Sequence, residues 1–275
     1  MRPPLAALLV GLSATAADAQ TPQFCWKPGQ VLTYRVEQTT TAVETVNGTT
    51  TQTATKLNHV KRWQVLAVDN HGVATLQLTL QSLRLAATTP SGETIAFDST
   101  APDKSHPQMR EQLSKYVGPV LATLKVDPRG RVMEVVESKH GPASRYESEP
   151  PFVLILPAGS IQAGQSWHRD YAITLEPPHG TGEKYQAQQQ YVCKALADGT
   201  ATITIAGTLK TQPEAVADRI PLLQMQPEGE VVFDLQAGCL RRARMQIDKT
   251  LSGHQGEGSS YRFSSTYVEE LVTAP

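Results

Sequence analysis

A general base, a fixed cation and a carboxylate stand in a row at His168-Arg169-Asp170, in the order used by catalytic loops that transfer phosphoryl groups. That chemistry also needs a downstream Asn and a preceding glycine-rich loop. Neither is present, and the triplet falls where alternation predicts a strand. Gly180-Thr181-Gly182-Glu183-Lys184 has the composition of a phosphate loop but not its spacing or its strand-to-helix setting, and a hairpin turn accounts for it. Ser166, within Gly164-Gln165-Ser166-Trp167-His168, lacks the second glycine and the following helix of a nucleophile elbow, so it reads as a strand start.

The seven histidines are never two or four residues apart, and no paired cysteine motif accompanies them, so the spacing of a structural zinc site is missing. Most sit beside glycine, as in His71-Gly72, His140-Gly141 and His179-Gly180, and read as solvated turn residues. Asp98 and Asp234 each follow a strand-end Phe and occupy matching places in the two halves of the chain. A catalytic carboxylate pair is one reading of them; side-chain capping of a turn is the one adopted. No catalytic residue, metal site or cofactor is expected. Three cysteines allow one disulfide with one thiol left over. Cys193 and Cys239 are the pair such a bond would join, and two buried free thiols satisfy the same pattern.

These residues sit on a chain whose landmarks occur twice. Gly29-Gln30-Val31-Leu32, Trp63-Gln64-Val65, Gly92-Glu93 to Phe97-Asp98 and Gly130-Arg131-Val132 are followed in the same order by Gly164-Gln165-Ser166-Trp167, Tyr191-Val192-Cys193, Gly229-Glu230 to Phe233-Asp234 and Gly238-Cys239-Leu240. The pattern predicts one mainly β domain over 20–275, built from pseudo-repeats 26–137 and 150–272. Antiparallel strands would form a curved sheet or incomplete barrel with one inserted covering helix. Asn47-Gly48 predicts a type I′ hairpin between long Thr-rich arms, whose distal part should project into solvent. Leu76, Leu78 and Leu80 alternate, then Leu83 and Leu85 shift parity, which predicts a β-bulge near Gln81-Ser82. From Pro107 to Leu124 apolar residues recur at helical spacing, with Ser105 as N-cap and an interruption at Gly118-Pro119. This helix is expected to lie across the concave face and bury Leu113, Val117 and Leu121.

Residues 1–19 read as a signal peptide: Arg2, an apolar run from Leu5 to Leu12 too short to span a bilayer, and Ala17-Asp18-Ala19 as cleavage site. The expected product is exported, periplasmic or extracellular, with no transmembrane span in its mature chain. With 40% hydrophobic and 19% charged residues the chain can bury a substantial core. Its 25 basic and 26 acidic residues give a formal charge of -1, which argues against nucleic acid as a partner.

Tyr34-Arg35-Val36-Glu37-Gln38, Trp63-Gln64-Val65 with Val68-Asp69 and Gly72-Val73-Ala74, Phe97-Asp98-Ser99, Asp127 with Gly130-Arg131-Val132, and Leu156-Pro157 with Gly164-Gln165-Ser166-Trp167 resemble an uncharacterised family of bacterial exported proteins. That family implies no function for any residue. The layout is also similar to periplasmic lipoprotein-carrier and lipid-binding half-barrels, which implies a fold and a ligand class by analogy.

The leading expectation is a non-catalytic envelope protein that encloses a lipid or other apolar ligand, lined by Leu76, Leu78, Leu80, Leu113, Val117, Leu121, Ile203 and Ile205. The same residues would serve a dry core in a structural or interaction module that presents the Thr-rich hairpin. A hydrolase of unrecognised type is the third class; it would show a buried His beside Ser or Asp.

Overall fold

The computed structural model describes residues 21–141, 143–177 and 180–272, so the signal segment read at 1–19 lies outside the described residues. The first half contains β1 (Val31–Val46), β2 (Thr49–Val68), β3 (Ala74–Thr88), β4 (Thr94–Asp98), helix α1 (Pro107–Leu113), β5 (Val120–Val126) and β6 (Val132–Ser138). The second contains β7 (Ser166–Leu175), β8 (Glu183–Ala197), β9 (Thr200–Leu209), the one-turn helix α2 (Ile220–Leu223), β10 (Glu228–Asp234), β11 (Cys239–Ser252) and β12 (Ser260–Leu271). All pair antiparallel in one 12-stranded sheet of order β6-β5-β3-β2-β1-β12-β11-β10-β9-β8-β7, with β4 sharing the β3 edge with β5. Each half is a meander, and β12 joins the halves by pairing with β1. The sheet stays open between β6 and β7. No helix among the described residues is long and apolar enough to cross a membrane.

Local chemistry sets the register. Asn47 and Gly48 have φ of 50° and 76°, the conformation a two-residue hairpin requires, and they place Val46 opposite Thr49. The arms do not project alone: β12 and β11 run beside β1 out to Ser260 and Ser252, so the Thr-rich tip belongs to a broader wing. The expected bulge is present. Val60 faces Ser82 but Lys61 faces Leu80, which leaves Gln81 as the extra residue and returns Leu83 to the face of Leu78 and Leu80.

The helix is shorter than the spacing predicts. It ends at Leu113, passes through a 3₁₀ turn at Ser114–Tyr116, and Gly118 (φ 97°) with Pro119 turns the chain into β5. Leu121 and Leu124 are therefore strand residues, because an apolar run as short as Val120 to Val126 satisfies either period. Nor is Ser105 the N-cap: its hydroxyl accepts the N–H of Asp98 at 2.9 Å, and His106 holds the cap position. Instead of spanning the concave face, α1 packs on one flank, where Met109 joins Leu83 and Phe97 with Leu57, Leu113 and Val117 around them.

The main core is filled by the connection between β6 and β7. Phe152, Val153, Leu154, Ile155 and Leu156 are all buried, and the sheet wraps them so that Leu124 of β5 and Tyr191 of β8 share one cluster. Trp26 and Trp63 pack on Phe152 at centroid distances of 6.4 and 5.1 Å, and Phe24 meets Phe233 at 5.0 Å. A strap without strand partners must place its carbonyls elsewhere. Lys61 Nζ donates to Pro150 O (2.7 Å), Trp167 Nε1 to Ile155 O (2.7 Å) and Arg129 Nε to Leu156 O (2.8 Å), while the Tyr191 hydroxyl donates to Val153 O (2.9 Å). Gly130 shows how close the approach is. Its φ is 88°, and a Cβ there would lie 2.5 Å from the Phe24 ring and 2.7 Å from Leu154 O.

Candidate functional site

The strap fills only one end of the curved sheet. Beyond Phe152, where the strands open toward the wing, a cavity of 770 Å³ remains. Leu57, Leu80 and Leu83 form one wall and Tyr171, Ile173 and Leu175 the other, with Met245 and Ile247 between them. The walls stand because each flank is braced: α1 holds the β2–β4 side, and Leu222 of α2 packs with Ile173, Leu175 and Ala187 on the β7–β8 side. Met225 and Pro227 also line it, and the strap supplies Arg145 to Pro150.

The floor is polar. Lys61 Nζ lies 2.8 Å from Glu269 Oε2, with both side chains buried, and the Tyr267 hydroxyl donates to the same carboxylate. Burial raises the Glu269 carboxyl above its ordinary range, and contact with the Lys61 ammonium and Tyr267 opposes the rise. Burial first, then the Glu269 charge, holds the Tyr267 hydroxyl well above its usual pKa. Next to Lys61 on the same face, His59 is pushed down to about 3 by burial and by the charges of Lys61 and Arg145, so its imidazole is neutral near pH 7. His59 Nδ1 and Glu269 Oε1 are buried with no hydrogen-bond partner among the described residues.

Three of the eight expected lining residues, Leu78, Leu80 and Leu121, line this cavity. Leu76, Ile203 and Ile205 lie instead in the filled core, and Leu113 and Val117 pack in the α1 cluster. The tertiary path of the strap decides this, because it covers the closed end and leaves the wing end open. Sequence reading passed over His59, Lys61, Tyr267 and Glu269. Parity was the available signal: His59 and Lys61 alternate with Trp63 on the inward face of β2, and inward charges demand partners.

The polar motifs elsewhere serve the scaffold. Asp98 accepts the N–H and hydroxyl of Thr100 at 2.8 and 2.7 Å, which hold its carboxyl below the ordinary range. Asp234 accepts the N–H groups of Gln236 and Ala237 at 2.9 and 2.7 Å. Both cap turns, but they are not counterparts: Asp98 leads into the α1 excursion, whereas Asp234 closes a strand-to-strand hairpin as Asp127 does with Arg129 and Arg131. His254 is buried near Ser259, yet its Nε2 meets Glu44 Oε1 at 2.8 Å while Ser259 Oγ donates to Gly256 O at 2.7 Å. That arrangement braces the turn from β11 to β12. Cys193 and Cys239 are not bridged; all three cysteines are free thiols. Cys193 sits on β8 opposite Ile203, whereas Cys239 opens β11 beside Asp234 with Cys25 nearby, and burial raises its thiol to about 11.

Neither a family model nor a curated protein matches the chain. Among solved structures it is similar to a chain from "Lipid-protein interactions in lipovitellin", with 13% identity and a TM-score of 0.47 over 90% of this chain and 26% of that one. The chain thus spans about a quarter of the length of that lipovitellin chain. It is also similar to DynF from the dynemicin biosynthesis pathway of Micromonospora chersina, at 7% identity and TM-score 0.23, covering 100% of this chain and 94% of that one. An outer membrane lipoprotein-sorting protein domain from Vibrio parahaemolyticus shows 10% identity and TM-score 0.14 over 87% and 83% of the two chains. These likenesses carry no functional argument at such scores, so function is argued from the cavity.

Proposed function

We propose that this is an exported, non-catalytic protein that holds a lipid or other apolar molecule in the cavity between its two braced flanks. The observation that carries the proposal is the 770 Å³ space with leucine, isoleucine and methionine walls above a polar floor, a size within the roughly 300–1,000 Å³ of small-molecule sites. Supporting it is the mainly apolar lining, surface whose removal from water by a ligand's apolar body is favourable at roughly 25 cal/mol per Å². Organic extracts of the purified, undenatured protein should contain a stoichiometric apolar compound by mass spectrometry. The uncharged dye Nile red should fluoresce on binding. Ile247→Trp, which fills the space between the walls, should abolish that signal in a protein that still folds.

Two further expectations belong to the same proposal. Export predicts a mature chain beginning at Gln20, which N-terminal sequencing of secreted protein would check. The two meanders are taken as pseudo-repeats over 26–137 and 150–272, so in an experimental structure they should share strand order and direction, with β4 outside the correspondence.

A second reading is supported by the wing, where Thr39 to Thr41 lie between Ser264 to Thr266 and Ala54 to Lys56 in adjacent strands. Such a hydroxyl-rich surface suits an interaction module. Retention of function after Ile247→Trp would favour it.

A further inference from the structure

We infer that the cavity takes an uncharged lipid, an apolar body carrying hydroxyl, ester or ketone groups, and discriminates against the carboxylate of a free fatty acid. This rests on the reading of the cavity as a binding site and adds the chemistry of the occupant.

The charges around the cavity are already balanced toward the negative. Among the described residues that line it, the cations are Lys61 and Arg145, against Glu147, Glu149 and Glu176. Lys61 is held by Glu269 and by the carbonyl of Pro150, and Arg145 Nε stands 3.4 Å from Glu149 Oε1. An entering carboxylate would lose its hydration against apolar walls and find each cation already facing a carboxylate, Arg145 at ion-pair distance although its Nε makes no hydrogen bond. Taking Lys61 from Glu269 would not help, because it would strand a second buried carboxylate. Neutral polar groups, by contrast, are within reach. His59 borders the cavity with Nδ1 unpartnered, and as a neutral imidazole it can donate to a carbonyl or accept from a hydroxyl, according to tautomer. Gln38 and Ser265 line the same floor, joined to each other at 3.4 Å.

The test is displacement of Nile red from the full mature protein at pH 8, with 1-monooleoylglycerol and oleate as competitors below their aggregation concentrations. The two share one acyl chain and differ in head group. Monooleoylglycerol should displace the dye at a concentration about tenfold lower than oleate, a difference of about 1.4 kcal/mol. Oleate equal to or better than monooleoylglycerol would overturn the inference and leave the cavity reading standing. Failure of Nile red to bind at all would overturn both. Two variants keep the argument independent of any one fold defect. Glu269→Gln frees the Lys61 charge from within, and Glu149→Gln frees Arg145 at the half-buried strap. At least one folded variant should narrow the preference by about threefold or more through stronger oleate binding. An unchanged ratio in both, with circular dichroism spectra like the parent's, would refute the role assigned to charge.

Discussion

Lys61 is the most consequential single residue. It ties the sheet to the strap through Pro150 and neutralises Glu269, so removing it breaks two interactions at once. Lys61→Met is expected to destabilise the protein by about 3–5 kcal/mol, the range for stranding one partner of a buried pair. Lys61→Met with Glu269→Leu should recover much of that loss, because both charges are then gone. A double-mutant cycle in urea checks this; a double variant as unstable as the single one would contradict it. His59 makes a separate prediction in pH. Its folded pKa of about 3 lies below the ordinary histidine value of about 6.5, so the unfolded chain binds the extra proton between those values. Its contribution is complete above pH 6.5 and is lost as pH falls toward 3, up to about 5 kcal/mol. Glu269 acts with the opposite sign, since a raised carboxyl pKa favours the native state at low pH and that contribution declines as pH rises through the raised value. Urea midpoints between pH 7 and 4.5 should therefore fall less steeply in His59→Gln than in the parent.

At the scale of elements, α1 acts as a brace on one flank instead of a lid. Met109 is its one buried residue, while Leu113 is only half-buried. Met109→Ala should thus destabilise by about 2 kcal/mol, at the low end for large-to-small core changes. Leu113→Ala should lose less, about 1 kcal/mol or under, because solvent already reaches it. Equal losses at both positions, measured by chemical denaturation, would restore the picture of a helix buried through Leu113. The turns were legible at this scale. Asp127 and Asp234 accept hydrogen bonds from N–H groups two to four residues on, and Asn47-Gly48 supplies the two positive φ angles of its hairpin. Short-range chemistry sufficed in each case, which is why the parity shift at Gln81 also announced its bulge. Val120 to Val126 was not legible in the same way, since its spacing suits two periods.

For the whole molecule, the closed end and the wing should differ in local stability. The closed end holds Leu32, Tyr34, Leu76, Ile203, Phe233 and Leu240 around the strap, while the wing near Thr45 to Thr50 is polar and largely solvated. Hydrogen exchange should protect the first group of strand amides most strongly, with free energies near that of global unfolding, and the wing tip least. Comparable protection along the full length of β1 and β2 would show that the wing is braced by contacts other than those described.

The sequence by itself determined the class of fold, the antiparallel hairpin order, the turn chemistry and the bulge, because each depends on residues close in the chain. It also marked Leu78 and Leu80 as inward strand residues, whereas Leu121 was expected on the helix and is found on β5. Tertiary structure decided the rest. Leu76, Leu78, Leu121, Ile203 and Ile205 share one core with Leu80 packed against it, and only the tertiary path of the chain leaves Leu78, Leu80 and Leu121 also bordering the cavity. Only the pairing of β1 with both β2 and β12 brings Lys61 to Glu269, more than two hundred residues later in the chain. Period-2 alternation states that a residue points inward. What it meets there depends on which strands the open sheet places across from it, and that is set by long-range packing.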